Sequence, residues 1–263
     1  MQMDISGNSA LVSASSSGLG KAAAKALAEN GVNVVINGRD EDKLDEAVSE
    51  LNAATDAEVV GCQGDLTEYD DIEAMVETAV EEFGGLDHLV TNAGGPAPGS
   101  FLETSDEDWY QAYDLLVMSV VRLVREAAPH LKEGDGGSIV SITSKTVKEA
   151  IPMLLLSNSV RMSVIGLEKT LSQELAPEVR ANAVMPGPYE TARIEEQIEH
   201  EVEKGRYDSY EEGIGARSES VPLNRMGEPR ELGETIAFLC SDHASYINGA
   251  AIPVDGGSSK SNL

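Results

Sequence analysis

Ser13, Ala14, Ser15, Ser16, Ser17, Gly18, Leu19 and Gly20 follow directly on a short apolar run. A glycine-bearing turn of this kind suits phosphate binding. Its backbone N–H groups can approach the anion, and the start of a following helix attracts the charge. Lying between the first strand and the first helix, the turn predicts a dinucleotide pyrophosphate site. An acidic residue about 20 residues further on would bind a ribose 2′-hydroxyl. Gly38 stands there instead, followed by Arg39. A missing acid beside an arginine suits a ribose 2′-phosphate, so the expected cofactor is NADP rather than NAD. Asp40 could be read as the displaced acid, but an Asp just before a helical run is expected to cap that helix.

Other reactive residues are less organised. Ser157, Asn158 and Ser159 could suggest a hydrolase nucleophile, yet no histidine lies near them in sequence. His88, His130, His200 and His243 show no metal-ligand spacing. Neither a serine triad nor a metal centre is expected.

The elements that must hold the turn alternate along the chain. Apolar runs at 10–14, 32–36, 58–62, 86–91, 138–142, 179–185 and 250–254 read as strands. Helical periods cover 21–30, 40–53, 68–83, 106–131, 152–176 and 228–240. The expected fold is α/β, a Rossmann-like doubly wound parallel sheet of about seven strands with helices on both faces. No linker interrupts it, so one dinucleotide-binding domain over 1–263 is expected. The acidic stretch 193–222, with Gly205, Gly213 and Gly215, lacks a strong apolar stripe. It reads either as a substrate lid or as a loosely packed surface helix pair.

Charge narrows the partners. In 263 residues, 46 Asp and Glu stand against 19 Lys and Arg, a formal net charge of −27. Nucleic acid and anionic membranes are poor partners for such a surface. The acid is spread over many segments, which suits a halophilic protein in high salt; an ordinary acidic cytosolic protein is the alternative. Two cysteines, Cys62 and Cys240, make no disulfide framework, so a cytoplasmic location is expected. No signal peptide or membrane span is expected either.

Taken together, these motifs resemble the short-chain dehydrogenase/reductase family. Ser13, Ala14, Gly18 and Gly20 resemble its Thr-Gly-x-x-x-Gly-x-Gly turn, with Ala14 departing from the pattern. Thr91-Asn92-Ala93-Gly94 resembles its Asn-Asn-Ala-Gly, and Asp65-Leu66 stands where the family contacts adenine. Asn182, Pro186, Gly187 and Thr191 match the segment after the sixth strand, and residues 253–257 its C-terminal signature. The resemblance implies cofactor contacts from Ser13, Ser15, Ser16, Ser17, Gly18, Leu19, Gly20, Arg39, Asp65, Leu66, Asn92, Ala93, Gly94, Arg161, Pro186, Gly187 and Thr191.

The family also implies a catalytic tetrad of Asn, Ser, Tyr and Lys, and here the chain departs from it. Aligning on Ile165-Gly166-Leu167 puts Ser157 at the tyrosine and Arg161 at the lysine. Thirteen residues before Ser157 lies Ser144, which retains the serine. Leu116 stands at the asparagine. A serine hydroxyl is a far weaker acid than a phenol, and arginine stays protonated, so neither repeats the family's proton relay.

The implied function is an NADP-dependent interconversion of a carbonyl and an alcohol by an altered proton path. Ser144, Ser157 and Arg161 are its candidate catalytic residues, acting on a small-molecule substrate. Lys145, Lys148 or Tyr189 could donate the proton, or water could do so while Ser144 and Ser157 orient the carbonyl. The alternative is a catalytically silent NADP-binding protein, a redox sensor or assembly partner. Surplus apolar residues on 106–131 and 152–176, together with the resemblance, imply a homodimer or homotetramer.

Overall fold

The computed structural model describes residues 3–133 and 136–261. Its strands are β1 (Ser9–Val12), β2 (Asn33–Gly38), β3 (Val59–Gln63), β4 (His88–Thr91), β5 (Gly137–Ile142), β6 (Val179–Pro186) and β7 (Ala251–Val254). They form one sheet in the order β3-β2-β1-β4-β5-β6-β7, every pair parallel. Central strands rich in Val and Ile, such as β2 and β5, are buried almost throughout, as a sheet covered on both faces requires.

One face is covered by α1 (Gly18–Glu29), α2 (Glu41–Ala54) and α9 (Pro229–Cys240), which share a core with Val12, Val34 and Val140. The other carries α3 (Tyr69–Phe83), α4 (Asp106–Tyr113), α5 (Ser119–Leu131) and α6 (Leu155–Glu174). There Leu11, Leu89 and Ile139 pack against Ile72, Leu123 and Val164. This is the doubly wound α/β architecture expected. The strand order reverses between β1 and β4, which opens a crevice at their carboxyl ends.

Two helix expectations are corrected in detail. The helix expected at 106–131 is interrupted by a π turn over Asp114–Met118. There the Ser119 hydroxyl donates to Leu115 O at 2.5 Å and Asp114 pairs with Arg122 at 2.9 Å. The helix expected from 152 begins at Leu155, because Met153 takes a φ of 67°. Asn158 fixes that preceding turn by accepting the Ile151 N–H at 3.1 Å and donating to Ile151 O at 2.9 Å. The stretch 193–222 holds two helices, α7 (Ala192–Glu203) and α8 (Tyr210–Ser218). They pack on each other, with Ile198 buried where Gly213 leaves room for it. Parallel pairing of Tyr189 with Gly227 closes the base of this excursion. Among the described residues, no helix is long and apolar enough to cross a membrane.

Candidate active site

A cleft of about 430 Å³ lies at the carboxyl ends of β1, β2, β4 and β5. A wider, shallower depression of about 870 Å³, around Gly7, Gly31 and Thr55, lies at the opposite ends of the strands. Ligands of open α/β sheets bind beyond the carboxyl ends, so the first is the candidate site.

The turn after β1 forms its floor. Ser13 Oγ donates to Asn92 O at 2.7 Å and accepts the Asn92 N–H at 2.8 Å. Ser15 Oγ donates to Val12 O at 2.5 Å and accepts the Asn37 N–H at 2.9 Å. Both serines are fully buried, so they shape the turn and do not face the cleft, contrary to the expectation of direct contact. Gly20 is buried beneath them, where a Cβ would stand 2.5 Å from Ala14 O. Ser16, Ser17, Gly18 and Leu19 line the cleft. Ala14, at the departing position, adopts a φ of 45°, a conformation that favours glycine.

Asn37 was missed by sequence reasoning. Its Oδ1 accepts the Ala14 N–H at 3.1 Å, and its Nδ2 donates to Gly64 O at 3.0 Å and Cys62 O at 3.2 Å. It thereby ties the turn to β2 and β3. A lone amide at the end of an apolar strand was the available signal.

The cleft's outer end is suited to a phosphate. A Cβ at position 38 would lie 2.7 Å from Ser16 Oγ, so an acid there would crowd the turn. Arg39 extends from the rim with its side chain 78% exposed, 3.5 Å from Asp65 Oδ2. Asp65 also accepts the Thr67 N–H and hydroxyl at 2.9 and 2.8 Å. Burial pushes the Asp65 carboxyl up, but the Thr67 bonds and Arg39 outweigh it and hold it below its ordinary value. Ser16 and Arg39 could together hold a ribose 2′-phosphate.

At the inner end, Asn92, Ala93, Gly94 and Arg161 line the wall. Arg161 is buried, and its guanidinium reaches Ile142 O and Ala93 O, each at 3.4 Å. Among the described residues, no carboxylate pairs with it at ion-pair distance. Burial lowers its pKa to about 10, which still leaves it charged at neutral pH. Among the described residues these are its two hydrogen bonds, so its five N–H donors exceed its partners.

Ser144 begins the short turn Lys145–Val147. Its Oγ accepts the Thr146 N–H at 3.2 Å, and among the described residues its own proton has no acceptor. Ser157 Oγ lies 3.1 Å from Thr146 Oγ1, which links the three hydroxyl-bearing residues. Leu116 is buried in the apolar core, while Leu115 lines the cleft. Of the alternative proton donors, Tyr189 is sealed off: its hydroxyl donates to Val254 O at 3.0 Å, and burial raises its pKa well above the phenol range. Lys145 Nζ is engaged with Ser258 Oγ at 3.2 Å. Lys148 is half-buried on the same turn. Pro186 ends β6, and Gly187 packs on Asp255, away from the cleft. Thr191 and Ala192 line the cleft where α7 begins.

One group beside the site was not foreseen. Glu168 is fully buried on α6; its Oε1 accepts the Ser141 hydroxyl, while among the described residues Oε2 has no hydrogen-bond partner. Ser141 in turn lies 2.6 Å from Thr91 Oγ1. Burial pushes the Glu168 carboxyl up to about 8, against the opposing pull of the Ser141 bond.

The chain as a whole is similar to known proteins. The sequence profile of a family described as enoyl-(acyl carrier protein) reductase matches residues 13–259. Dehydrogenase/reductase SDR family member 4 of Homo sapiens is 34% identical over 250 residues, covering 94% of this chain and 86% of its own. The crystal structure of L-sorbose reductase from Gluconobacter frateurii, complexed with NADPH and L-sorbose, is 31% identical. It covers 99% of this chain and 100% of its own, with a TM-score of 0.95. An apo short-chain oxidoreductase from Pseudomonas aeruginosa PAO1, described as containing an atypical catalytic centre, is 30% identical. It covers 98% of this chain and 99% of its own, with a TM-score of 0.91.

Proposed function

The chain belongs to the short-chain dehydrogenase/reductase family, oxidoreductases acting on alcohol and carbonyl groups, and from that premise we propose an NADP-dependent enzyme with an altered proton path. The observation that carries NADP is the cleft's outer end, where Gly38 leaves the ribose position free of acid and Ser16 and Arg39 both line the rim. The NADPH of the L-sorbose reductase complex supports the same choice.

In this reading the turn from Ser16 to Leu19 holds the pyrophosphate at the start of α1, and Asp65 and Leu66 flank the adenine. Ser13, Ser15 and Gly20 act through the shape of the turn. Asn92, Ala93 and Gly94, with Thr191 opposite, hold the nicotinamide end, and Pro186 and Gly187 support that wall from behind. NADPH supplies the hydride when bound. Ser144 polarises the carbonyl by donating a hydrogen bond to its oxygen, keeping its own proton, and Ser157 is a second polar contact. Arg161 holds ribose hydroxyls with its spare donors, and its fixed charge favours the alkoxide formed by hydride addition. Water delivers the final proton. The whole chain acts as one domain with 193–222 as its substrate lid, on a small-molecule substrate, in a homodimer or homotetramer.

A second reading, NADP binding without turnover, is favoured by one observation: the phenol of Tyr189 is committed to Val254 O. Titration of NADPH and NADH tests the cofactor assignment. NADPH is expected to bind at least about tenfold tighter, and Arg39→Glu to abolish the preference, given what a charge-assisted contact contributes. Equal affinities in the native chain would overturn it.

A further inference from the structure

The loop that carries Ser144 is gripped from outside. Lys145 Nζ donates to Ser258 Oγ at 3.2 Å, and the Lys260 N–H donates to a Glu149 carboxylate oxygen at 3.2 Å. Both partners lie beyond β7, in the tail at 255–260. Asp255 orders that tail: its two carboxylate oxygens accept the Gly257 and Ser259 N–H groups, each at 2.9 Å. Burial pushes the Asp255 carboxyl up, but the Ser259 and Gly257 bonds and the nearby Lys145 charge outweigh it. Lys145 thus bonds to the tail and sits beside its carboxylate.

The grip reaches Ser144 through a short path. The Thr146 N–H bonds Ser144 Oγ and the Val147 N–H bonds Ser144 O, each at 3.2 Å. The Lys148 and Glu149 N–H groups close on Lys145 O at 2.9 and 3.1 Å. Moving Lys145 therefore moves Ser144. The same tail supports the end of the 191–226 excursion: the Leu223 N–H donates to Gly256 O at 3.3 Å. Gly256 has a φ of 62°, and a Cβ there would meet Val221 Cγ1 at 2.7 Å, so the two segments lie as close as glycine permits.

We propose that Ser258, through Lys145, and Asp255, through the tail turn, are positioning residues for Ser144, and that they hold its loop in register with the end of the lid. The proposal rests on the oxidoreductase reading above, in which Ser144 contacts the carbonyl. It also gives Lys145 a role other than proton donor: its ammonium is the clamp's handle.

The test uses the full chain with Ser258→Ala, Lys145→Met and the double variant. Amide exchange across Thr146–Glu149 should rise about tenfold in each single variant and no further in the double, since both remove one bond. Ser258→Thr should restore native exchange. NADPH affinity should hold, and the melting temperature should fall by no more than a few degrees. On any carbonyl that the native chain reduces, kcat should fall with KM unchanged. Unaltered exchange, additive single effects, or a rise in exchange spread over the whole sheet would overturn the proposal. The exchange arm needs only the protein and NADPH as probe, so its failure is distinct from a failure to find turnover.

Discussion

Replacing Glu168 by Gln should make the protein more stable above neutral pH. The carboxyl is fully buried, and its pKa rises from 4.5 in the unfolded chain to about 8 in the fold. Between those values the folded state holds a proton that the unfolded state has lost, so stability falls as pH rises. Below 4.5 both states are protonated, and the group costs nothing by this route. Integrated from pH 5 to 8, the loss is about 3 kcal/mol, at 1.36 kcal/mol per unit. The amide introduced by Glu168→Gln keeps an oxygen for the Ser141 hydroxyl and cannot ionise. Urea unfolding of both chains at pH 5, 6, 7 and 8 in constant KCl measures the difference. The two should be nearly equal at pH 5, with the Glu168→Gln variant ahead by about 3 kcal/mol at pH 8. His88, buried and lowered to about 4, adds an opposite slope below 6.5. It is common to both chains and cancels in the comparison. Parallel pH profiles would show that the fold does not hold this carboxyl protonated.

Three further predictions concern the turn, the phenol and the surface. Ala14→Gly should raise stability by about 1 kcal/mol, measured by thermal melting, because Ala14 sits at a φ of 45°. A lower melting temperature would show the methyl packing to matter more. Tyr189→Phe should cost about 1 kcal/mol through the lost bond to Val254 O while leaving turnover intact; loss of turnover would return the phenol to the chemistry. Unfolding free energy should rise from dilute buffer to molar KCl, because a net charge of −27 is screened there. Highest stability in dilute buffer would count against a high-salt surface.

Legibility followed locality. The turn from Ser13 to Gly20, the alternation of strands and helices and the Gly38-Arg39 pair depend on neighbours in sequence, and sequence reasoning reached them. The π turn at Asp114–Met118 did not announce itself, because 106–131 keeps an apolar helical period through it. Its consequence, Leu115 at the cleft and Leu116 in the core, follows from the packing. Ser13 and Ser15 looked like contacts because they share the turn; partners 79 and 22 residues away turn them inward. Glu168 reads as an ordinary helix acid until Ser141 and Thr91 are brought beside it from two strands. The grip of Ser258 on Lys145 joins residues 113 apart, beyond any local pattern.

Everything proposed for the site turns on whether the chain reduces a carbonyl with NADPH by a path lacking the family's Tyr and Lys. NADPH oxidation in high-salt buffer against a broad panel of carbonyls decides it, comparing the native chain with a Leu116→Asn, Ser157→Tyr, Arg161→Lys variant. The native chain is expected to consume NADPH with at least one carbonyl. Turnover by the restored variant alone, with the native chain binding NADPH and consuming none, would contradict the altered proton path.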